Sequence, residues 1–255
     1  MTVLANAAAA PPGLGDVFVS EVLGTAVLIL LGGGVCAAVT LPRSKAQNSG
    51  WIVIAFGWGL AVYCGVWVAW LSGAHLNPAV TIGLLAKGAA EYAPMVPITP
   101  ASTLTYLAGQ MLGGFLGAVA CFLVYKKHFD EPTEPGVKLG VFSTGPAIRS
   151  YGWNLLTEIV ATFVLVYVIL AFGQTPTQLG PLAVALLVVA IGLSLGGPTG
   201  YAINPARDLP PRIAHAVLPI KGKGDSDWAY AWVPIVGPLV GGALAGLAAA
   251  VLIPA

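Results

Sequence analysis

A 255-residue chain that is 57% hydrophobic and only 8% charged is not a soluble domain, where charged residues run near ~25%. Its formal net charge of +1 gives no reason to expect nucleic acid or another strongly charged partner. With a mean hydropathy of +0.87, the chain reads as one integral membrane domain over residues 1–255.

Met1 to Ala10 lack the basic start of a signal peptide, so no cleaved leader is expected. The first span runs from about Asp16 to Val39 and the second from about Gly50 to Leu71. A short apolar helix from Asn77 to about Ala86 follows, stopped by Lys87 and Gly88. Residues 91–100, with Pro94, Pro97 and Pro100, form a loop before a third span from about Ala101 to Tyr125. A long polar connection covers about residues 126–150. The pattern then restarts with a fourth span from about Trp153 to Phe172, a loop at 174–180 and a fifth span from about Pro181 to Leu195. A second short helix covers Asn204 to about Val217, and the last span runs from about Ala229 to Ile253. The architecture expected is therefore all-α, with six transmembrane helices and two half-length ones.

The restart is visible residue by residue. Ser72 to Val80 read SGAHLNPAV and Thr199 to Arg207 read TGYAINPAR, and the offset from Asn77 to Asn204 is 127 residues, half the chain. Such arithmetic marks a duplicated unit, with repeat one at about 16–100, the third span following it, and repeat two at about 151–254. In each copy Asn can cap a helix and Pro presets its first turn. Each following helix is too short for a ~30 Å hydrocarbon core, which takes about 20 residues. Two re-entrant half-helices follow from this. Three full spans per unit is an odd number, so the second unit enters from the opposite side and the repeats are inverted. The half-helices then meet N-terminus to N-terminus at the midplane, where inverted-repeat membrane proteins place their binding sites.

The first span of each unit carries Glu-x-x-x-Thr, at Glu21/Thr25 and Glu158/Thr162. An intramembrane carboxylate is a functional hypothesis by default, here proton relay. The alternative is a buried acceptor for backbone N–H groups that lipid cannot satisfy, and the repeat-equivalent placement favours this scaffold role. Cys36, Cys64 and Cys121 lie in separate apolar runs and read as small buried hydrophobes. No cofactor or metal set is expected.

Paired NPA half-helices in inverted repeats, each unit headed by E-x-x-x-T, resemble the aquaporin (major intrinsic protein) family, over essentially the whole chain from Asp16 to about Pro254. GGPTGYAINPARD from Gly196 to Asp208, together with Val233-Pro234-Ile235, resembles the aquaglyceroporin branch and its bacterial glycerol facilitators. The resemblance implies pore motifs at Asn77, Pro78, Ala79, Asn204, Pro205 and Ala206. It implies a selectivity constriction of Trp58, Gly192, Tyr201 and Arg207, and solute-binding carbonyls at Gly73, Ala74, His75, Gly200, Tyr201 and Ala202. Glu21, Glu158 and Asp208 would be structural supports. Small Gly192 would widen the slot for a linear polyol.

The sequence departs from the pattern in three places. Tyr201 stands where a Phe is usual, Trp58 lies nineteen rather than twenty residues before Asn77, and Pro210-Pro211 interrupts the second half-helix. His75 reads equally as a vestibule residue or as a structural histidine.

The implied function is passive conduction of glycerol, water and other small neutral solutes by a homotetramer in the plasma or inner membrane, without enzymatic chemistry. A water-selective channel, a secondary transporter and an intramembrane enzyme are the alternatives. One signal points elsewhere. Arg43, Lys45, Lys126, Lys127, Lys138, Arg149, Lys221 and Lys223 fall in the loops that the family places outside the cell, whereas the positive-inside rule would place such loops in the cytoplasm.

Overall fold

The structure, a computed structural model, describes residues 11–174 and 179–253. The leader reading on residues 1–10, most of the loop before the fifth span, and Pro254 lie outside the described residues.

Each long apolar run becomes a helix, in chain order α1 (Leu14–Thr40), α2 (Trp51–Val68), α4 (Pro100–Val124), α7 (Tyr151–Ala171) and α10 (Val233–Leu252). Among the described residues these five are long and apolar enough to cross a membrane. The expected fifth span is α8 (Pro181–Ser194), of 14 residues, which reaches about 21 Å at ~1.5 Å per residue. Pro181 begins it and the Gly196-Gly197-Pro198 run follows its end. The two half-helices are α3 (Pro78–Lys87) and α9 (Pro205–Val217). Pro occupies the first turn of α3, α4, α8 and α9, where its missing N–H would have had no helical acceptor. Pro210 and Pro211 remove two donors from the interior of α9, yet the helix runs unbroken to Val217.

Two connections carry more structure than their sequences announce. Residues 91–97, read as loop, form a small antiparallel hairpin of β1 (Glu91–Ala93) and β2 (Val96–Pro97). The polar connection contains α5 (Lys126–Asp130) and α6 (Pro135–Phe142), and α6 packs against α1 and α9. Its Val141 and Phe142 are buried, so this loop folds back onto the bundle.

Glycines set how closely the spans approach. On α4, Gly109, Gly113 and Gly117 face α1, and a Cβ at each would collide with the Phe18, Val22 or Ala26 carbonyl. On α10, Gly237 and Gly241 do the same against Glu158 Cβ and the Ile159 carbonyl of α7. These small-x-x-x-small seams let membrane helices gain dispersion contacts where no hydrophobic driving force exists between them. The halves also interlock. Gly242 of α10 receives the Ala79 carbonyl of α3, and Gly114 of α4 receives the Ala206 carbonyl of α9. Each half-helix thus packs on the third span of the other unit, which brings the two NPA segments together. Outside, Leu23, Leu31, Phe56, Leu60, Leu116, Leu123 and Leu247 are exposed, an apolar perimeter suited to lipid.

Candidate solute pathway

The two asparagines meet and bind reciprocally. Asn77 Nδ2 donates to the Ile203 carbonyl at 2.8 Å, and Asn204 Nδ2 donates to the Leu76 carbonyl at 2.8 Å. Each Oδ1 accepts from the backbone of its own helix start, Ala79 N–H and Ala206 N–H respectively, both at 2.9 Å. An Asn amide has two N–H donors, so one on each remains for a passing oxygen. Two half-helix N-termini converge here, each equivalent to roughly half a positive charge.

The irregular segment before each asparagine is turned by the same backbone conformations. Gly73, Ala74 and Leu76 have φ of 73°, 55° and 53°, and their equivalents Gly200, Tyr201 and Ile203 have 82°, 40° and 46°. Four non-glycine residues in the left-handed region need compensation, and the two glutamates provide it. Glu21 accepts from His75 N–H (3.0 Å), Leu76 N–H (2.8 Å), Ser72 Oγ (2.5 Å) and Gln110 Nε2 (2.8 Å). Glu158 accepts from Ala202 N–H (3.0 Å), Ile203 N–H (2.9 Å) and Thr199 Oγ1 (2.7 Å). Both carboxylates are fully buried. With the N–H groups drawn back to the glutamates, the carbonyls face the other way. Among the described residues, the carbonyls of Gly73, Ala74, His75, Gly200, Tyr201 and Ala202 accept no hydrogen bond.

Two cavities follow this line. One of about 400 Å³ is lined by Gly73, Ala74, His75, Asn77, Tyr201, Ala202, Asn204 and apolar side chains including Leu28, Val62, Val66, Leu165 and Val188. The other, about 260 Å³, is lined by Cys36, Trp51, Ser143, Thr144, Gly200 and residues of α6. Three residues line both: Trp58, Tyr201 and Arg207. The nineteen-residue spacing has therefore still delivered Trp58 to this junction. The Arg207 guanidinium lies over the Trp58 ring at 3.9 Å. Its protein acceptor among the described residues is the Phe142 carbonyl, 3.3 Å from Nη1, which leaves most of its five N–H groups unbound.

Gly192 lies against Tyr201. It lies on neither cavity wall, because Tyr201 occupies the space beside it. A Cβ at Gly192 would sit 2.8 Å from Tyr201 Cζ and 2.9 Å from its hydroxyl oxygen. The missing side chain leaves the room in which the phenol sits. Trp51 closes the same nest, its Nε1 donating to the Gly192 carbonyl at 2.9 Å with its ring edge-on to Tyr201.

His75 is held on both ring nitrogens, by Thr81 Oγ1 at 2.9 Å and the Tyr92 carbonyl at 3.1 Å, and stacks on Tyr106. Both ring nitrogens are thus engaged, and the residue lines the larger cavity. Asp208 does not pair with adjacent Arg207. It binds Arg212 one turn later, at 2.8–2.9 Å, and accepts from the Thr144 N–H and hydroxyl at 2.7 Å. Arg212 is fully buried and donates further to the Thr144, Ser226 and Asp227 carbonyls. Sequence reading passed over Arg212, although Asp208-x-x-x-Arg212 is a visible i,i+4 pair. Pro78, Ala79, Pro205 and Ala206 are buried helix starts, not cavity wall.

The family model described as Major intrinsic protein matches residues 13–249. The chain belongs to the major intrinsic protein family. Its relatives within that family include glycerol uptake facilitator protein 3 of Lactiplantibacillus plantarum, 55% identical over 230 residues, covering 89% of this chain and 92% of that protein. The glycerol uptake facilitator protein of Bacillus subtilis is 54% identical over 233 residues, covering 90% and 82%. Among solved structures, the aquaglyceroporin from Plasmodium falciparum superimposes with a TM-score of 0.78 at 30% identity, covering 94% of this chain and 97% of that one. This major intrinsic protein is thus a multi-pass membrane protein with the aquaporin fold, and its two half-helices are the hallmark that the duplicated NPA motif announced.

Proposed function

We propose that the whole chain acts as one passive channel domain for glycerol and other small neutral solutes, with water as co-permeant. One observation carries the reading: among the described residues, the walls of the two cavities share Trp58, Tyr201 and Arg207, with the guanidinium over the Trp58 ring. An alkyl backbone can slide along the aromatic side chains while its hydroxyls bind the guanidinium N–H groups beside them. Those hydroxyls then pass the unpartnered carbonyls of residues 73–75 and 200–202 as acceptors, and the free N–H of Asn77 and Asn204 as donors. The converging helix dipoles oppose cations at the same point. Trp58, Tyr201 and Arg207 form the selectivity constriction in this reading, with Gly192 behind Tyr201, and Glu21, Glu158 and Asp208 as scaffold. The names of the relatives, glycerol uptake facilitators and an aquaglyceroporin, agree with a polyol as the solute. A homotetramer in the bacterial plasma or inner membrane, with termini inside, completes the proposal.

The test is stopped-flow light scattering on proteoliposomes under a glycerol gradient, with a sucrose-driven water control. Rapid re-swelling that persists without a proton or sodium gradient is the expected result. Water shrinkage without glycerol entry would replace the reading with a water-selective channel, and gradient-dependent entry would replace it with a coupled transporter.

A further inference from the structure

The Trp58 ring owes its position to helix α1. Leu28, Gly32 and Cys36 are spaced four apart on α1 and so share one face. Leu28 lines the larger cavity and Cys36 the smaller. Gly32, between them, lines neither, because the benzo edge of Trp58 covers it. A Cβ at Gly32 would fall inside the contact radius of Trp58 Cε3 and Cζ3 and only 2.5 Å from Cη2. At the junction the wall is therefore the indole in place of α1 itself, and the depth of the notch at Gly32 decides how far the ring protrudes. One turn further on, Trp58 Nε1 donates to Cys36 Sγ at 3.3 Å, in a site where Cys36 and Trp58 are 6% and 5% exposed. An indole has one N–H donor and no acceptor, so this bond removes its sole polar group from the passage.

We infer that Gly32 and Cys36 are positioning residues that set the solute selectivity of the channel through Trp58: Gly32 fixes the width of the slot, and the Cys36 thiol keeps its wall apolar. The inference rests on the conduction reading above. With Cys36 as its acceptor, the part of the indole that Arg207 leaves uncovered offers only carbon to the passage, and solute hydroxyls are directed to the guanidinium. Without that acceptor, the N–H seeks an oxygen in the lumen, where it favours water and retards a polyol. A methyl at Gly32 needs at least ~1 Å more room, since carbon contacts sit at ~3.5–4.0 Å. Because α1 lies behind the ring, the ring moves into the lumen.

Glycerol and water permeabilities measured together, on wild type and on Cys36→Ala, Cys36→Ser and Gly32→Ala in proteoliposomes, test this. Cys36→Ala should lower the glycerol-to-water ratio at least threefold. Cys36→Ser, which keeps an acceptor, should stay within twofold of wild type, a rescue that a mere packing role would not give. Gly32→Ala should lower glycerol flux tenfold or more and water flux less. Should Gly32→Ala fail to assemble, adding Trp58→Phe should recover assembly by removing the crowded benzo ring. Ratios within twofold of wild type in both Cys36→Ala and Gly32→Ala, or no recovery by the double variant, would overturn the inference. A wild type that carries water but no glycerol defeats the conduction reading only, and Gly32→Ala must then still reduce the water flux.

Discussion

Glu158 is the sharpest place to separate scaffold from proton carrier. Its carboxylate serves three donors, Thr199 Oγ1, Ala202 N–H and Ile203 N–H, at 2.7–3.0 Å with no exposure to solvent. Replacing it with Ala leaves all three orphaned, at about 1–3 kcal/mol each. The upper sum, about 9 kcal/mol, rivals the ~5–15 kcal/mol of an ordinary domain's whole stability, although relaxation of the loop lowers it. Glu158→Gln keeps one carbonyl oxygen, which can still serve Thr199 and Ala202, and turns an NH₂ toward Ile203 N–H. One orphan then costs about 1–3 kcal/mol. Detergent-solubilised thermal unfolding and glycerol flux, measured on the same preparations, should give a graded series. Wild type stands highest, Gln falls by a few degrees with reduced flux, and Ala fails to accumulate or melts far lower. An Ala variant as stable as wild type but devoid of flux would refute the scaffold argument and revive proton relay.

Other outcomes follow from the same geometry. Gly192→Ala should displace the Tyr201 ring by about 1 Å to restore ordinary carbon contacts; glycerol flux should fall at least fivefold in the stopped-flow assay, and unchanged flux would refute the seating of Tyr201. Arg212→Leu strands the buried Asp208 carboxylate, a loss of about 3–5 kcal/mol of the kind seen when one partner of a buried pair is removed, readable as a lowered melting temperature. Asp130 outside the membrane is held below the ordinary carboxylate range chiefly by its hydrogen bond from Lys126. Its stabilising contribution is therefore present above the unfolded-state pKa of about 4 and lost as pH falls through the lower folded value. The melting-temperature difference between wild type and Asp130→Asn should be small at pH 7, as befits an exposed pair, and should shrink as pH falls below about 4.

The basic loops show what a count of charges leaves out. Of the eight Lys and Arg residues that opposed the family's topology, five have acceptors within the protein. Arg43 pairs with Glu131, Lys126 with Asp130 and Arg149 with Asp227. Lys138 donates to the Phe129 and Lys221 carbonyls, and Lys223 donates to the His215, Ala216 and Leu218 carbonyls at the end of α9. A composition rule weighs charges facing water or lipid head groups, and it has no means of knowing that a lysine caps a helix.

What the chain itself determined is whatever depends on neighbours a few residues away. Apolar runs of membrane length, Asn-Pro caps, half-length helices and the repeat offset of 127 residues are local patterns. The all-α inverted-repeat fold and the positions of Asn77, Asn204 and Arg207 followed from them. The glycine seams at 109–117 and 237–241 were equally local, and the G-x-x-x-G spacing would have shown them. Tertiary structure alone decided which side chain fills which gap. Gly192 looked like an opening until Tyr201, nine residues on, occupied it. Gly32 and Cys36 became the seat of an indole twenty-six and twenty-two residues away, and Asp208 chose Arg212 over its neighbour Arg207. Such choices depend on shape and on hydrogen-bond partners that meet only when separate helices pack, and close-packed interiors admit few alternatives.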